Sequence, residues 1–292
     1  MNGSINKKSI SIQRQFHRSA ASYDAHAAIQ RMMSEQLEQT IAQWKSSRQL
    51  EEFSILEVGC GTGALTERLA SQYPSARLAA LDLAPAMLSI AEQRILQAES
   101  KAAANGSRLL TSRICFVQAD IEAWAAEAPP AAYDLIVSNA CFQWLNDAPA
   151  TLRHLRRMLR SGGLLVFSTF GPATFRELHQ AFDEAYQSIG AEPRRHGLSF
   201  RSAAEWSRLL HTAEFAGVQE QQFLHTELYD SPRAFLHEVK AMGASASEAK
   251  EGSVPGLRRL FTAMEQTYER RFRLSGGIQA SYEFVWLQAH AE

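Results

Sequence analysis

Residues 53–70 read F-S-I-L-E-V-G-C-G-T-G-A-L-T-E-R-L-A: a short apolar run, glycines at 59, 61 and 63, and then a helical pattern. A strand that ends in glycines and opens a helix brings backbone close to a ligand, because side chains at those positions would block the approach. Four further strand-like runs follow, A-R-L-A-A-L-D, R-I-C-F-V-Q-A-D, Y-D-L-I-V-S-N and G-L-L-V-F-S-T-F, separated by helix-length segments. That alternation predicts βαβ units and a mainly parallel, doubly wound α/β sheet. Such sheets bind ligands at the C-terminal ends of their strands.

At 292 residues and 46% hydrophobic, the chain can bury a sizeable core. Lys plus Arg (30) nearly cancels Asp plus Glu (31), so no global field argues for nucleic acid or a membrane as partner. Cys60, Cys115 and Cys141 lie far apart without a CxxC pair or clustered histidines, which supports neither a disulfide framework nor a metal site. The three read as small packing residues in a reducing compartment. The N-terminus M-N-G-S-I-N-K-K-S-I-S-I-Q-R-Q has no apolar core after its basic residues, and no stretch approaches the ~18 apolar residues of a membrane span. A cytoplasmic protein is expected.

Upstream of the sheet, Phe16, Ala20, Tyr23, Ala27, Leu37, Ile41 and Trp44 recur at three-four spacing, predicting one or two amphipathic helices over 10–45. After Phe170 the rhythm breaks: G-P-A-T-F-R-E-L-H-Q-A-F-D-E-A-Y predicts a helix opened by Gly-Pro and Thr174. A helix over 202–217, a strand over 218–227, helices near 231–242 and 256–271, and a final strand over 279–289 complete the reading. Ala98–Gly106 and Ala123–Ala132 read as Ala-rich, solvated connections. The expected organisation is a helical N-terminal lid segment (1–50) and a main domain (51–292) carrying lid insertions at 171–200 and 231–275.

The glycine loop admits three readings. A phosphate-cradling loop would end Gly-Lys-Ser/Thr, whereas this one gives Gly63-Ala64-Leu65. A dinucleotide fingerprint wants G-x-G-x-x-G, and Glu57 just before the loop would repel a pyrophosphate. A ligand with positive charge and hydroxyl donors suits the acids better. Asp82 closes the second strand beside the loop, able to accept both hydroxyls of a ribose. Asp120 and Ile121 after the third strand could take an adenine amino group and cover its ring, and Asn139 follows the fourth.

With these residues the chain resembles the class I S-adenosylmethionine-dependent methyltransferases, whose acidic E/D-x-G-x-G-x-G loop is matched by Glu57-Val58-Gly59-Cys60-Gly61-Thr62-Gly63. The resemblance covers 53–170 well and the last strands more loosely. It implies a Rossmann-like, seven-stranded sheet with its last strand antiparallel. It also implies S-adenosylmethionine as cofactor, held by Glu57, Gly59, Gly61, Gly63, Asp82, Leu83, Met87, Asp120, Ile121 and Asn139.

A narrower similarity lies in F-H-R-S-A-A-S-Y-D-A-H-A-A-I-Q (16–30), S-N-A-C-F-Q-W-L (138–145), S-T-F-G-P-A-T-F-R-E-L-H-Q-A-F (168–182) and H-E-V-K-A-M-G-A (237–244). These resemble the biotin-pathway malonyl-[acyl-carrier protein] O-methyltransferases; Gln143-Trp144 with G-P-x-T-F-x-E-L is the more specific part. The resemblance implies methyl transfer to the free carboxylate of malonyl on its acyl-carrier protein, giving the methyl ester that primes pimeloyl and biotin synthesis. A carboxylate titrates near 4 and is already ionised at neutral pH, so no catalytic base is required.

Tyr23, next to Asp24, is the first candidate catalytic residue, able to hydrogen-bond acceptor or cofactor. Arg176 is the second, a candidate for the malonyl carboxylate or the phosphopantetheine phosphate. Carrier proteins are acidic as a class, so Arg194, Arg195, Arg201, Lys240, Arg270, Arg271 and Arg273 are candidate docking residues. The equally basic T-L-R-H-L-R-R-M-L-R (151–160) reads as a solvated helix face. His17, His26 and His179 are not assigned to catalysis. A monomer is expected. A methyltransferase for a small free carboxylic acid, a non-catalytic cofactor-binding module and, last, a dehydrogenase remain as alternatives.

Overall fold

The computed structural model describes residues 7–48, 52–104, 111–241 and 256–292. In chain order they form α1 (Lys7–His26), α2 (Ala28–Ser46), β1 (Ser54–Val58), α3 (Ala64–Gln72), β2 (Arg77–Asp82), α4 (Pro85–Ala104), β3 (Ile114–Gln118), α5 (Ile121–Glu127), β4 (Tyr133–Asn139), α6 (Ala148–Met158) and β5 (Leu159–Phe170). Then come α7 (Arg176–Ile189), α8 (Ala203–Thr212), β6 (Ala216–Tyr229), α9 (Pro232–Ala241), α10 (Leu257–Phe272), β7 (Arg273–Leu274) and β8 (Gly277–His290). The chain divides into two compact units, one of residues 1–169, 203–221 and 286–292, the other of 170–202 and 222–285.

The strands run in the order β3-β2-β1-β4-β5-β8-β6, with the two-residue β7 pairing β8 antiparallel off that path. The seven strands of the main path are those expected, and the short β7 is an addition. The last strands are antiparallel, giving the Rossmann-like methyltransferase arrangement. β1 lies parallel between β2 and β4, with Ile55 opposite Leu78 on one side and Leu135 on the other. Sheet order reverses at the β1–β4 pair, which opens a crevice beyond their C-terminal ends.

In the first unit both faces of the sheet are covered, so β1 is buried from Ile55 to Val58 without alternation. Leu37, Ile41 and Trp44 of α2 join Phe53, Ile55, Leu65, Leu69, Leu78, Leu135 and Val166 in one core. The three-four spacing over 10–45 thus resolves into two helices broken at Ala27. Ala98–Ala104 is not a solvated connection but the last turns of α4, as the helix preference of alanine allows. Residues 105 and 106 of that stretch lie outside the described residues. Ala123 to Glu127 likewise belong to α5.

The basic run 151–160 is more than a solvated face. Arg157 donates from Nη2 to the carbonyls of Ala125, Ala126 and Ala128, satisfying the open end of α5, and Arg160 pairs with Asp134 at 2.5 Å. Among the cysteines, Cys60 is buried and Cys141 half-buried, but Cys115 is exposed on the edge strand β3, contrary to its reading as a packing residue. No described helix is long and apolar enough to cross a membrane.

In the second unit, α7 buries Leu178, Ala181, Phe182, Ala185 and Tyr186, the 3.6-residue stripe of an amphipathic helix, and packs on α10, where Phe182 meets Phe261 edge-on with ring centroids 5.5 Å apart. α7 opens at Arg176 rather than Thr174, because Phe175 is left-handed at φ +59°. The residues before it are fastened to β8. Ala173 N–H donates to the Glu283 carboxylate at 2.7 Å, Phe175 N–H to Ser281 O at 2.7 Å, and Glu283 N–H to Thr174 Oγ1 at 3.0 Å.

Candidate cofactor and acceptor site

The three glycines after β1 share a left-handed backbone, with φ of +72° at Gly59, +54° at Gly61 and +80° at Gly63. Their surroundings differ. A Cβ at Gly59 would fall 2.5 Å from Cys141 Sγ, and one at Gly63 would fall 2.8 Å from the Ala91 Cβ on α4. Both admit close packing: Gly59 of loop on loop, Gly63 of helix on helix. Gly61 meets nothing within 4 Å and lines the crevice. Gly63 is not among the lining residues, so its part in the site is to seat α3.

Beyond the loop lies a cavity whose empty space, its open mouth included, is about 760 Å³. Of the residues expected to hold a cofactor, Gly59, Gly61, Asp82, Leu83, Met87, Asp120, Ile121 and Asn139 line it, and so does Tyr23. Asp82 accepts Gly61 N–H on Oδ2 at 2.9 Å and Ala84 N–H on Oδ1 at 2.8 Å, which fixes the carboxylate against the loop. Burial pushes its carboxyl above the usual range, and those backbone donors pull it back. Asp120 caps α5 by accepting Glu122 N–H at 3.0 Å. Ile121 and Met87 are buried.

A second cavity of about 490 Å³ adjoins the loop on its other side, and Tyr23, Gly59, Gly61 and Asn139 border both. Asp24, Gln30, Arg31, Ser34, Glu57, Thr62 and Arg68 line it together with Ala27, Cys60, Ala64 and Leu65. Glu57 lines this cavity and not the first. It is 1% exposed, accepts Thr66 Oγ1 at 2.6 Å, and is pushed up to about 8, chiefly by burial, which outweighs the Thr66 hydrogen bond. Arg31 reaches the Asp24 carbonyl at 2.7 Å, and Arg68 pairs with Glu38 at 3.1 Å. Asn139 donates to Gln30 O at 2.9 Å and accepts Ser168 Oγ at 2.6 Å, so its amide joins β4 to α2 and β5.

α1 supplies Ser9, Ile12, Phe16 and Tyr23 to the first cavity. Phe16 stands edge-on to Tyr23 and to Trp144, with ring centroids 6.4 and 5.5 Å away. Burial, then the Asp82 and Asp24 carboxylates, push the Tyr23 phenol far above its ordinary value, which makes it a hydrogen-bond donor and not a base near neutral pH. Trp144 lines the cavity, whereas its neighbour Gln143 binds Ala140 O at 2.7 Å and Thr169 Oγ1 at 3.1 Å and holds the loop.

Arg176 belongs to the second unit, about half exposed, with Nε on the Glu177 carboxylate at 3.0 Å. Glu177 is buried and accepts Ser281 N–H at 2.9 Å and Ser281 Oγ at 2.6 Å. Of the candidate docking residues, Arg270 and Arg271 pair with Glu184, Arg273 with Glu269 at 2.5 Å, and Arg195 reaches Leu198 O at 3.1 Å. His179 is held down to about 4 by burial and the Arg195 charge. Residues 242–244 of H-E-V-K-A-M-G-A lie outside the described residues.

Sequence reasoning missed Ser9 and Ile12 of α1, Arg31 of α2 and Arg68 of α3, and the loop 145–147. Ile12 stands four residues before Phe16 on the face already noted, a usable signal. The loop is held by Glu122, whose Oε1 accepts Asn146 N–H at 3.0 Å and Asp147 N–H at 2.6 Å; nothing in its spacing announces that.

A sheet reversing at β1–β4, a glycine loop at that point and acids at the neighbouring strand ends define a methyltransferase fold, and residues 17–220 match the methyltransferase domain family. The YcgJ protein from Bacillus subtilis shares the fold at a TM-score of 0.53 and 15% identity, over 85% of this chain and 96% of that one. A malonyl-[acyl-carrier protein] O-methyltransferase of Paenibacillus sp. (strain JDR-2) is 50% identical over 98% of this chain and 100% of its own length. One of Brevibacillus brevis is 39% identical over 95% of each. The chain belongs to the malonyl-[acyl-carrier protein] O-methyltransferase family.

Proposed function

We propose that the chain transfers a methyl group from S-adenosylmethionine to the free carboxylate of malonyl carried on an acyl-carrier protein. The observation that carries this reading is 50% identity, end to end, with the Paenibacillus enzyme of that name. The two cavities fit the donor. The first offers Asp82 for ribose hydroxyls, Leu83, Met87 and Ile121 as apolar cover for a base, and Asp120 near its rim. The second offers Glu57 for an ammonium, with Arg31 and Arg68 as the cations for a carboxylate. Tyr23, Gly59, Gly61 and Asn139 border both chambers, where the nucleoside and amino-acid halves would join.

When bound, S-adenosylmethionine supplies an electrophilic methyl group on sulfonium sulfur. The protein's own task is then alignment, since a malonyl carboxylate is ionised near neutral pH and needs no base. Tyr23, as a phenol that stays protonated, donates a hydrogen bond to acceptor or donor. Phe16 and Trp144 keep water from the cavity beside it. Arg176 is proposed for the acceptor's carboxylate or phosphate, and the ester product lacks the charge that Arg176 would hold.

Initial rates with malonyl-carrier protein, malonyl-CoA and free malonate, side by side, test the reading. It predicts the carrier-linked acceptor as preferred. A preference for free malonate would reassign the enzyme to small carboxylic acids, and binding of the donor without turnover on any of the three would make it a binding module.

A further inference from the structure

α1 walls the first cavity, burying Ile12 and Ala20 and leaving Phe16 and Tyr23 partly buried. Its end is held by polar contacts. Asp24 Oδ1 accepts Thr62 Oγ1 at 2.6 Å, and Oδ2 pairs with Arg94 Nη2. Arg94 in turn donates from Nε to the Thr62 carbonyl at 2.9 Å. One carboxylate on α1, one guanidinium on α4 and the hydroxyl and carbonyl of Thr62, between Gly61 and Gly63, thus close a ring beside the loop. Thr62 is 2% exposed, so its hydroxyl depends on Asp24 as a partner rather than on water. At the other end, Gln13 Nε2 donates to Leu83 O at 3.0 Å.

We propose that Asp24 is a positioning residue that fastens α1 across the cofactor cavity through Thr62 and Arg94, so that the methyl donor and its demethylated product exchange only when this tie opens. The tie acts on donor binding and needs nothing from the acceptor assignment beyond the donor site on which it rests. An exposed ion pair adds little by itself; the shared, buried Thr62 distinguishes this one.

The test measures S-adenosylhomocysteine release by stopped flow, and amide hydrogen exchange of residues 16–26 in the cofactor-free full chain. Asp24→Asn and Arg94→Gln should each speed release by about tenfold, and their double variant should be no faster than the faster single, as members of one network are non-additive. Exchange over 16–26 should rise in step, while Arg94→Lys, which keeps the charge but not both donors, should fall between the parent and Arg94→Gln. Thr62→Val, which leaves the ion pair in place, should show a smaller increase and provides the test if Asp24→Asn does not fold. Parent-level release and exchange in these variants, or strictly additive effects, would overturn the proposal.

Discussion

The two cavities beside the glycine loop differ in lining: the first is the more apolar, and cationic side chains line the second alone. One has an apolar floor of Leu83, Met87 and Ile121 beneath aromatic side chains from α1 and the loop after β4, with Asp82 fixed at its edge. The other is walled by Glu57, Arg31, Arg68, Gln30 and Ser34. A phosphate-rich nucleotide would want cations around the loop itself. Here Asp82 accepts the Gly61 N–H and Arg94 donates to the Thr62 carbonyl, while Arg31 and Arg68 stand around the second chamber. Under the proposed donor placement, one loop would serve a flat, neutral end on one side and a zwitterionic end on the other.

The strongest way to break this division is at Asp82. Its loss removes the acceptor for two hydroxyls and also frees Gly61, so Asp82→Ala should weaken S-adenosylmethionine binding by about 100-fold, from charge-assisted hydrogen bonds of ~1.5–3 kcal/mol each. Calorimetric affinity checks it; an unchanged value would place the ribose elsewhere.

Glu57 sharpens the account of the polar chamber. Its carboxyl is held near 8 instead of its ordinary 4.5, so in the ligand-free protein it keeps a proton across that window, and its contribution to stability falls as pH rises from 4.5 towards 8. An ammonium would favour the ionised form and displace that proton. Donor affinity should therefore rise with pH towards about 8 and fall beyond it, where the ligand's own ammonium loses its proton. Glu57→Gln should lose about tenfold at pH 8 and abolish the rise. A rise that persists in Glu57→Gln would mean another group titrates.

Tyr23→Phe probes the border between the chambers. Turnover should fall by about fivefold to tenfold with donor affinity kept, the signature of one lost hydrogen bond made during reaction. Parent turnover would demote the phenol to packing. Arg176→Ala carries the smallest expected effect, a rise of about threefold in the acceptor KM at similar kcat, since a half-exposed guanidinium binds weakly. Unaltered acceptor kinetics would remove it from the site.

Asp82 and the glycines were legible because they sit where strands end, and strand ends are visible as a change of period in the sequence. The apolar chamber's floor was readable for the same reason, being the residues next after β2 and β3. Arg31 and Arg68 were not, since each lies within a helix, and only the packing of α2 and α3 brings them to one cavity. The family-specific segments pointed to the right family, and the structure gives several of their residues a local task. Gln143 and G-P-A-T-F-R-E contain side chains and amides that hold a loop or fasten α7 to β8, so their distinctiveness reflects local architecture as much as acceptor chemistry. Helix limits shifted where a single backbone angle decided them, as at Phe175.

The central claim is that the malonyl carboxylate itself receives the methyl group. Intact-mass analysis of malonyl-carrier protein and acetyl-carrier protein, each incubated with the enzyme and S-adenosylmethionine, tests it most directly. One methyl gained on the malonyl form alone is the predicted result. Methylation of both forms, or of neither, would contradict it.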